Sequence, residues 1–350
     1  MSEWPYEVAD SLGMWDATAS LPEQVAAAAA QVAELPGLPD REKVENIVVF
    51  GMGGSGIAGD VLVAAAGPVL PVPATVVKSY TTPAYVTTGT LVFAISFSGA
   101  TEETVEAAGM ALELGAQVVF VASGGELAQM ARDTGSLLIP VPESIPQPRA
   151  ALGAVSIPPL AVLDAIGLFP GGGYWIDQTV SQLQRRRDQL VSRRSQAEEI
   201  ARHLEGKLTM LHSAGSVGKA ATTRWRAQIN ENAKAMAFAS IYPENCHNEL
   251  AGWSSLAETT KRDLAVVRLR HDNEHPQINR RYEITADFID PYVNEALEVR
   301  AQGEGELAQF FDLALVGDFV SLHLAGAYGV DPGPIPVLSA LKAQLKSPGA

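Results

Sequence analysis

The sequence predicts an α/β protein of two tandem doubly wound domains, each a parallel sheet covered by helices, with a helical connection between them and a helix at the C-terminus. Three observations predict it. The chain has 350 residues, more than one hydrophobic core usually organises, so two domains are expected. Short apolar runs alternate with helical patterns through the first half, which is the grammar of βαβ units. A junction of strand, glycine and serine turn, and helix near residues 47–57 returns near 207–218, as a pseudo-duplication would make it. The divisions expected are 1–155 for the first domain, 156–205 for the helical connection and 206–350 for the second domain.

Taken in order, residues 21–35 (LPEQVAAAAAQVAEL) read as an alanine-rich helix with Pro22 in its first turn and Glu23 complementing the dipole. It is expected on the outside of the first sheet. Strands follow at 47–50, 74–77, 91–95, 117–122 and 137–140, with helices at 57–66, 102–114 and 126–132. A proline-rich passage, 140–148, leaves the sheet as a rigid extended segment and ends in Arg149, which should stand at the mouth of the crevice. Residues 156–168 read as a buried helix stopped by Pro170 and the three glycines after it. Residues 176–204 read as a polar helix whose basic run at 185–187 is a solvated face. In the second half, 207–212 is a strand, 213–218 a turn and 223–235 a helix; apolar runs at 264–269 and 308–316 supply the rest of that core.

The first junction carries chemistry. Gly51 to Gly56 form a turn that leaves backbone N–H groups bare at the positive end of a helix opening near Ile57, so an anion belongs there. The spacing of Gly51, Gly53 and Gly56 fits a dinucleotide fingerprint, but the acid expected about 20 residues on is missing, because the strand at 74–77 runs into Lys78 and Ser79. An NADP site could dispense with the acid, and a purely structural turn is a further reading. A single phosphate is preferred. The turn offers Gly54 N–H and the Ser55 hydroxyl, and Ser96, Ser98 and Thr101 follow the strand at 91–95. Serine and threonine at a helix start also serve as caps, which accounts for one of the three. Two such turns at the carboxyl ends of two strands converge where open α/β sheets bind ligands.

The second constellation is 222–250, where Asn230, Glu231, Asn232 and Lys234 sit on a helix and Cys246, His247, Asn248 and Glu249 follow a turn. The same run reads equally well as a capped helix with solvated charges. Cys246 beside His247 invites a nucleophile reading, but sequence neighbours rarely face each other at hydrogen-bonding distance.

Composition limits the rest. A net charge of −15 argues against nucleic acid or anionic membrane as partner, so an anionic substrate needs a local exception to an acidic surface. Cys246 is the one cysteine, which excludes internal disulfides and cysteine-based zinc clusters. The first 20 residues lack a signal-peptide pattern, and no apolar run reaches the ~18 residues that span a bilayer, so a soluble cytoplasmic protein is expected. His203, His212, His247, His271, His275 and His323 show no ligand spacing with a third donor, Pro276 placing His271 and His275 in a loop. No metal and no cofactor are expected.

GMGGSG at 51–56 together with the SxSGxTEET pattern at 96–104 resembles the sugar isomerase (SIS) domain, a flavodoxin-like module that binds phosphosugars. The resemblance covers roughly residues 40–160 and departs at Ala100, where such families usually have asparagine. QINENAKxxAF at 228–238 followed by PExxHNEL at 243–250 resembles the bifunctional phosphoglucose/phosphomannose isomerase family. The tail at 315–345 and LPEQ at 21–24 agree with it. That resemblance implies that Glu231 moves the proton between C1 and C2, that His247 and Lys342 assist ring opening, and that Arg149 stabilises the enediolate. It places the phosphate on Ser55, Ser96, Ser98 and Thr101, and it implies a homodimer in which His247 crosses the interface. The chemistry asks independently for a carboxylate over C1–C2, a proton carrier near the ring oxygen and a cation beside the oxyanion. The expected activity is interconversion of glucose 6-phosphate, mannose 6-phosphate or both with fructose 6-phosphate. The alternatives are a non-catalytic phosphosugar-binding regulator and an NADP oxidoreductase.

Overall fold

The structure, a computed structural model, describes residues 4–345. Its first half contains α1 (Met14–Ala19), α2 (Leu21–Ala33), β1 (Asn46–Phe50), α3 (Gly53–Ala65), β2 (Ala74–Val77), β3 (Thr90–Ile95), α4 (Glu102–Glu113), β4 (Gln117–Ala122), α5 (Gly125–Thr134) and β5 (Leu137–Pro140). Three helices follow: α6 (Leu152–Ala165), α7 (Gly172–Leu190) and α8 (Gln196–Leu204). The second half contains β6 (Leu208–Ala214), α9 (Gly215–Asn232), β7 (Ala237–Tyr242), α10 (Ala257–Asp263), β8 (Leu264–Arg270), α11 (Pro276–Ile289), β9 (Glu295–Arg300), α12 (Gly305–Ala327) and α13 (Pro336–Leu345).

Both sheets are parallel and doubly wound. The first has the order β2-β1-β3-β4-β5 and the second β7-β6-β8-β9, the same order without a fifth strand. Each sheet therefore has a switch point, between β1 and β3 and between β6 and β8, where helices leave toward opposite faces and a crevice opens. Alternation along the buried strands sorts the side chains. Ile47, Val49, Leu91 and Phe93 face the interior of the molecule, whereas Val48, Phe50, Val92 and Ala94 face α4 and α5.

The interior is one helical layer shared by both halves. α3 packs on α9, α12 packs on α3, α7, α8 and α9, and one continuous apolar core runs from Val49 and Phe93 through Trp225 and Phe319 to Val267. Among the described residues α12 is the one helix long and apolar enough to cross a membrane, and 89% of its apolar window is buried inside the fold. The α9–α12 crossing depends on Gly317. The Trp225 indole lies where a Cβ on Gly317 would stand, 2.3 Å from Nε1, and donates to the Leu313 carbonyl at 2.7 Å.

The structure departs from the sequence reading in particular places. α3 begins at Gly53 rather than near Ile57, because Ser55 N and Gly56 N already donate to the Met52 carbonyl at 3.0 Å. The glycines are thus the first helical turn. α2 packs chiefly on α6 and α7, one layer further from the sheet than expected, and touches the sheet edge through Gln31 Nε2 and the Pro140 carbonyl. The polar helix expected at 176–204 is two helices, α7 and α8, broken where Ser195 caps α8 by accepting from Glu198 N. The apolar run 308–316 lies inside α12.

Replacing Gly317 with valine should force Trp225 out of its seat. Overpacking of a filled core costs about 1–3 kcal/mol, and urea unfolding of Gly317→Val should show a loss of that size. An unchanged midpoint would mean that the α9–α12 contact is looser than described.

Candidate active site

The first sheet's crevice is built from two turns tied together. The Ser55 hydroxyl, buried at the start of α3, accepts from Phe97 N at 2.9 Å and so fixes the β1–α3 turn to the β3–α4 turn. Ser96, fully buried, shares a 2.8 Å hydroxyl bond with Thr101 and accepts from Gly99 N at 3.1 Å. Thr101 occupies the N-cap position of α4 without a side-chain capping bond, so its hydroxyl serves the turn and not the helix. Ser98 is exposed and accepts from Ala100 N at 3.3 Å. Ser55 and Ser96 thus hold the crevice in shape, while Ser98 and the half-buried Thr101 are the hydroxyls nearer solvent.

Arg149 does not stand at the rim. It lies in a short 3-10 turn (Pro148–Ala150), is 2% exposed, and reaches into the second half of the chain. Its Nε donates to Asn232 Oδ1 at 2.7 Å, and its Nη2 to the Pro332 and Gly333 carbonyls at 2.6 Å each. Gly54 makes this approach possible, since a Cβ there would lie 3.0 Å from Arg149 N. A further buried arginine braces the turn. Arg224 donates to both carboxylate oxygens of Asp318, at 2.9 and 2.7 Å, and to the Arg149 carbonyl at 2.5 Å. Asn232 in turn donates to Ser321 Oγ at 2.9 Å.

This network fixes the end of α9, where Glu231 projects. Glu231 Oε2 is 3.7 Å from Arg149 Nη1, and the carboxylate is about a quarter exposed. Lys234, left-handed at φ 56°, folds back so that Nζ donates to the Glu231 carbonyl at 2.6 Å. Burial lowers the pKa of the Arg149 guanidinium from its ordinary value; the Glu231 carboxylate opposes that shift and Arg224 adds to it. Burial, and then Arg149, likewise lower Lys234.

Glu231 opens on two cavities. One, of about 180 Å³, is lined by Gly53, Gly54, Lys78, Arg149, Arg226 and Glu231 among others. The other, of about 570 Å³, shares Arg226 and Glu231 and is walled by Phe238 and by Leu338 of α13. Lys78, Arg149, Arg224 and Arg226 face one carboxylate in the first, so a chain of net charge −15 carries a basic cleft here. That is the local exception an anionic ligand needs.

The structure brings Gly54, Arg149 and Glu231 into one cleft, with Ser55, Ser96, Ser98 and Thr101 in the adjoining turns. It does not bring His247 or Lys342 to Glu231 within one chain. His247 is exposed on a 3-10 turn (Glu244–His247), and Lys342 is exposed on α13; neither lines either cavity. The residues that sequence reasoning left without a role are Asp318, Ser321, Arg224 and Lys78. A signal existed for the first: Asp318, like Asp312, is a carboxylate in a long and largely apolar buried helix, and a buried charge demands a partner.

Residues 42–167 match the SIS domain family, and residues 193–345 match the bacterial phospho-glucose isomerase C-terminal SIS domain. A bifunctional phosphoglucose/phosphomannose isomerase from Caldicellulosiruptor bescii is 32% identical over 339 residues, covering 95% of this chain and 98% of that protein. One from Aquifex aeolicus is 31% identical over 312 residues, covering 88% and 92%. Among solved structures, a hypothetical protein from Thermus thermophilus shares the fold with a TM-score of 0.72 at 14% identity, over 95% of this chain and 90% of that one.

Asp318→Ala should strand Arg224 in the interior. Breaking a buried pair on one side costs about 3–5 kcal/mol, to be read by urea unfolding. A change below about 1 kcal/mol would show that Arg224 finds water and that the brace is dispensable.

Proposed function

The chain belongs to the bifunctional phosphoglucose/phosphomannose isomerase family, and from that premise we propose that it interconverts glucose 6-phosphate and mannose 6-phosphate with fructose 6-phosphate. One observation carries the reading to particular atoms: an accessible carboxylate, Glu231, stands 3.7 Å from a buried guanidinium in a basic cleft beside a glycine turn.

In the proposed reaction the phosphate rests on the Gly54 N–H and on the hydroxyls of Ser98 and Thr101, with the buried Ser55 and Ser96 holding the two turns around it. The N-terminal end of α3 adds its positive dipole. Glu231 takes the proton from C2 of the open-chain aldose. The electron pair left behind forms the C1–C2 double bond of a cis-enediolate, and the negative charge collects on the C1 oxygen, where Arg149 stabilises it. A proton passes from O2 to O1, the C2–O2 carbonyl forms as the C1–C2 double bond's electron pair takes the proton that Glu231 returns to C1, and the ketose is complete. Because Arg149 is held by Asn232 and two carbonyls, it is in place before charge develops. Neither a metal nor a cofactor is needed for proton transfer of this kind.

Ring opening needs a group that donates and accepts a proton near the ring oxygen. His247 and Lys342 take this role in a homodimer, with His247 supplied by the partner subunit. Support comes from α13, whose Val337, Leu338, Leu341 and Leu345 are all substantially exposed in the single chain and would be covered by a second copy. In this scheme residues 1–155 and 206–350 are the two SIS units, the first holding phosphate and the second carrying base and tail, with 156–205 connecting them. The substrates are charged intracellular metabolites, which suits a cytoplasmic enzyme.

A coupled assay for fructose 6-phosphate from each aldose tests the reading. Turnover of both is expected, undiminished by EDTA; no turnover of either would favour the regulator. Ser98→Ala and Thr101→Ala should each raise KM for the 6-phosphates, each lost bond to the charged group costing about 1.5–3 kcal/mol, while only Thr101→Ala, which also removes the partner of buried Ser96, should lower the melting temperature. A lowered melting temperature with unchanged KM would assign these hydroxyls to the turn alone.

A further inference from the structure

We infer that Lys78 is a phosphate-binding residue that exchanges Asp60 for the substrate's phosphate, an inference that rests on the function proposed above. The register across the first sheet puts it within reach. Phe50 of β1 pairs with Val77 of β2 and with Ala94 of β3, so the next level brings Lys78, Gly51 and Ile95 side by side, with Ser96 one step beyond. Adjacent strands are about 4.8 Å apart, and a lysine side chain spans more than that. Its direction is also fixed: Lys78 Cε lies 3.3 Å from the point where a Cβ on Gly56 would stand, which lays the side chain over the first turn of α3.

Charge makes the same demand. A phosphate monoester at neutral pH approaches two negative charges, whereas Ser55, Ser96, Ser98, Thr101 and the turn's N–H groups are all neutral. Of the arginines in the cleft, Arg149 is committed to Asn232 and two carbonyls and Arg224 to Asp318, while Arg226 is exposed on α9 and also lines the second cavity with Glu231. Lys78 is the cation of this cleft whose ion pair is open to solvent, with side-chain exposure of 35% for Lys78 and 21% for Asp60. Such a pair is weak and is readily given up for a dianion placed on a helix N-terminus. The ammonium serves as a point charge that needs no fixed angle of approach. This also accounts for what stands at the end of β2, where a dinucleotide-binding sheet would place an acid for ribose.

The full-length protein with Lys78→Met tests it. Titration calorimetry with inorganic phosphate should show affinity reduced about tenfold or more relative to wild type, and KM for fructose 6-phosphate should rise in parallel while kcat changes less than about threefold. Asp60→Asn, which frees the ammonium, should leave phosphate affinity unchanged or increase it. Phosphate affinity and KM unchanged in Lys78→Met overturn the inference. Equal losses of affinity and melting temperature in both variants also overturn it, since they would mean that the pair is structural. If wild type binds phosphate through Lys78 yet converts neither aldose, the inference holds and the isomerase reading fails.

Discussion

The placement of Arg149 is the constraint on which the rest depends. A guanidinium from the first half of the chain is buried among groups of the second, and a buried cation is tolerated only when its donors are met. They are met by the side chain of Asn232 and by the carbonyls of Pro332 and Gly333, while Arg224 and Asp318 hold its own backbone. One consequence is geometric. Asn232, which follows Glu231 in α9, is one of the groups that grip Arg149, so a hydrogen bond ties the guanidinium directly to the turn of helix that carries the carboxylate.

A second consequence is architectural. For Arg149 to reach Asn232, α3 and α9 must pack closely, and α12 must present Asp318 and Ser321 on the side facing them. α12 satisfies both demands because Gly317 lets Trp225 settle against its backbone and because most of its other positions are apolar, the buried Gln309 and Asp312 being met by partners of their own. The GDFxS run in the tail is therefore intelligible residue by residue: glycine for the crossing, aspartate for Arg224, serine for Asn232. The cleft that results concentrates positive charge in a molecule that is otherwise acidic, which keeps anionic ligands local to it.

The first half was legible because β1, β3 and β4 are nearly continuous apolar runs buried on both faces, and because their turns carry glycine and hydroxyls in succession. β7 and β9 were not, and both are edges of the second sheet. With one face exposed, AFASIY and EALEVR mix polar and apolar residues and match no buried-strand pattern. Glu231 was legible through its motif. Arg149 was legible as a residue of interest, but its burial was not, since Asn232 and Gly333 are remote in sequence and nothing local announces them. The exposed positions of His247 and Lys342 are likewise outside what spacing can report.

The central claim is that Glu231, held against Arg149, moves the proton between C1 and C2. Solvent exchange followed by NMR tests it most directly. In deuterated water the wild type should wash deuterium into C2 of the aldose and C1 of the ketose, and Glu231→Gln should slow that exchange about 10²- to 10⁴-fold while fructose 6-phosphate still binds. Exchange at a near-normal rate in the Gln variant would contradict the claim and give the proton to another residue.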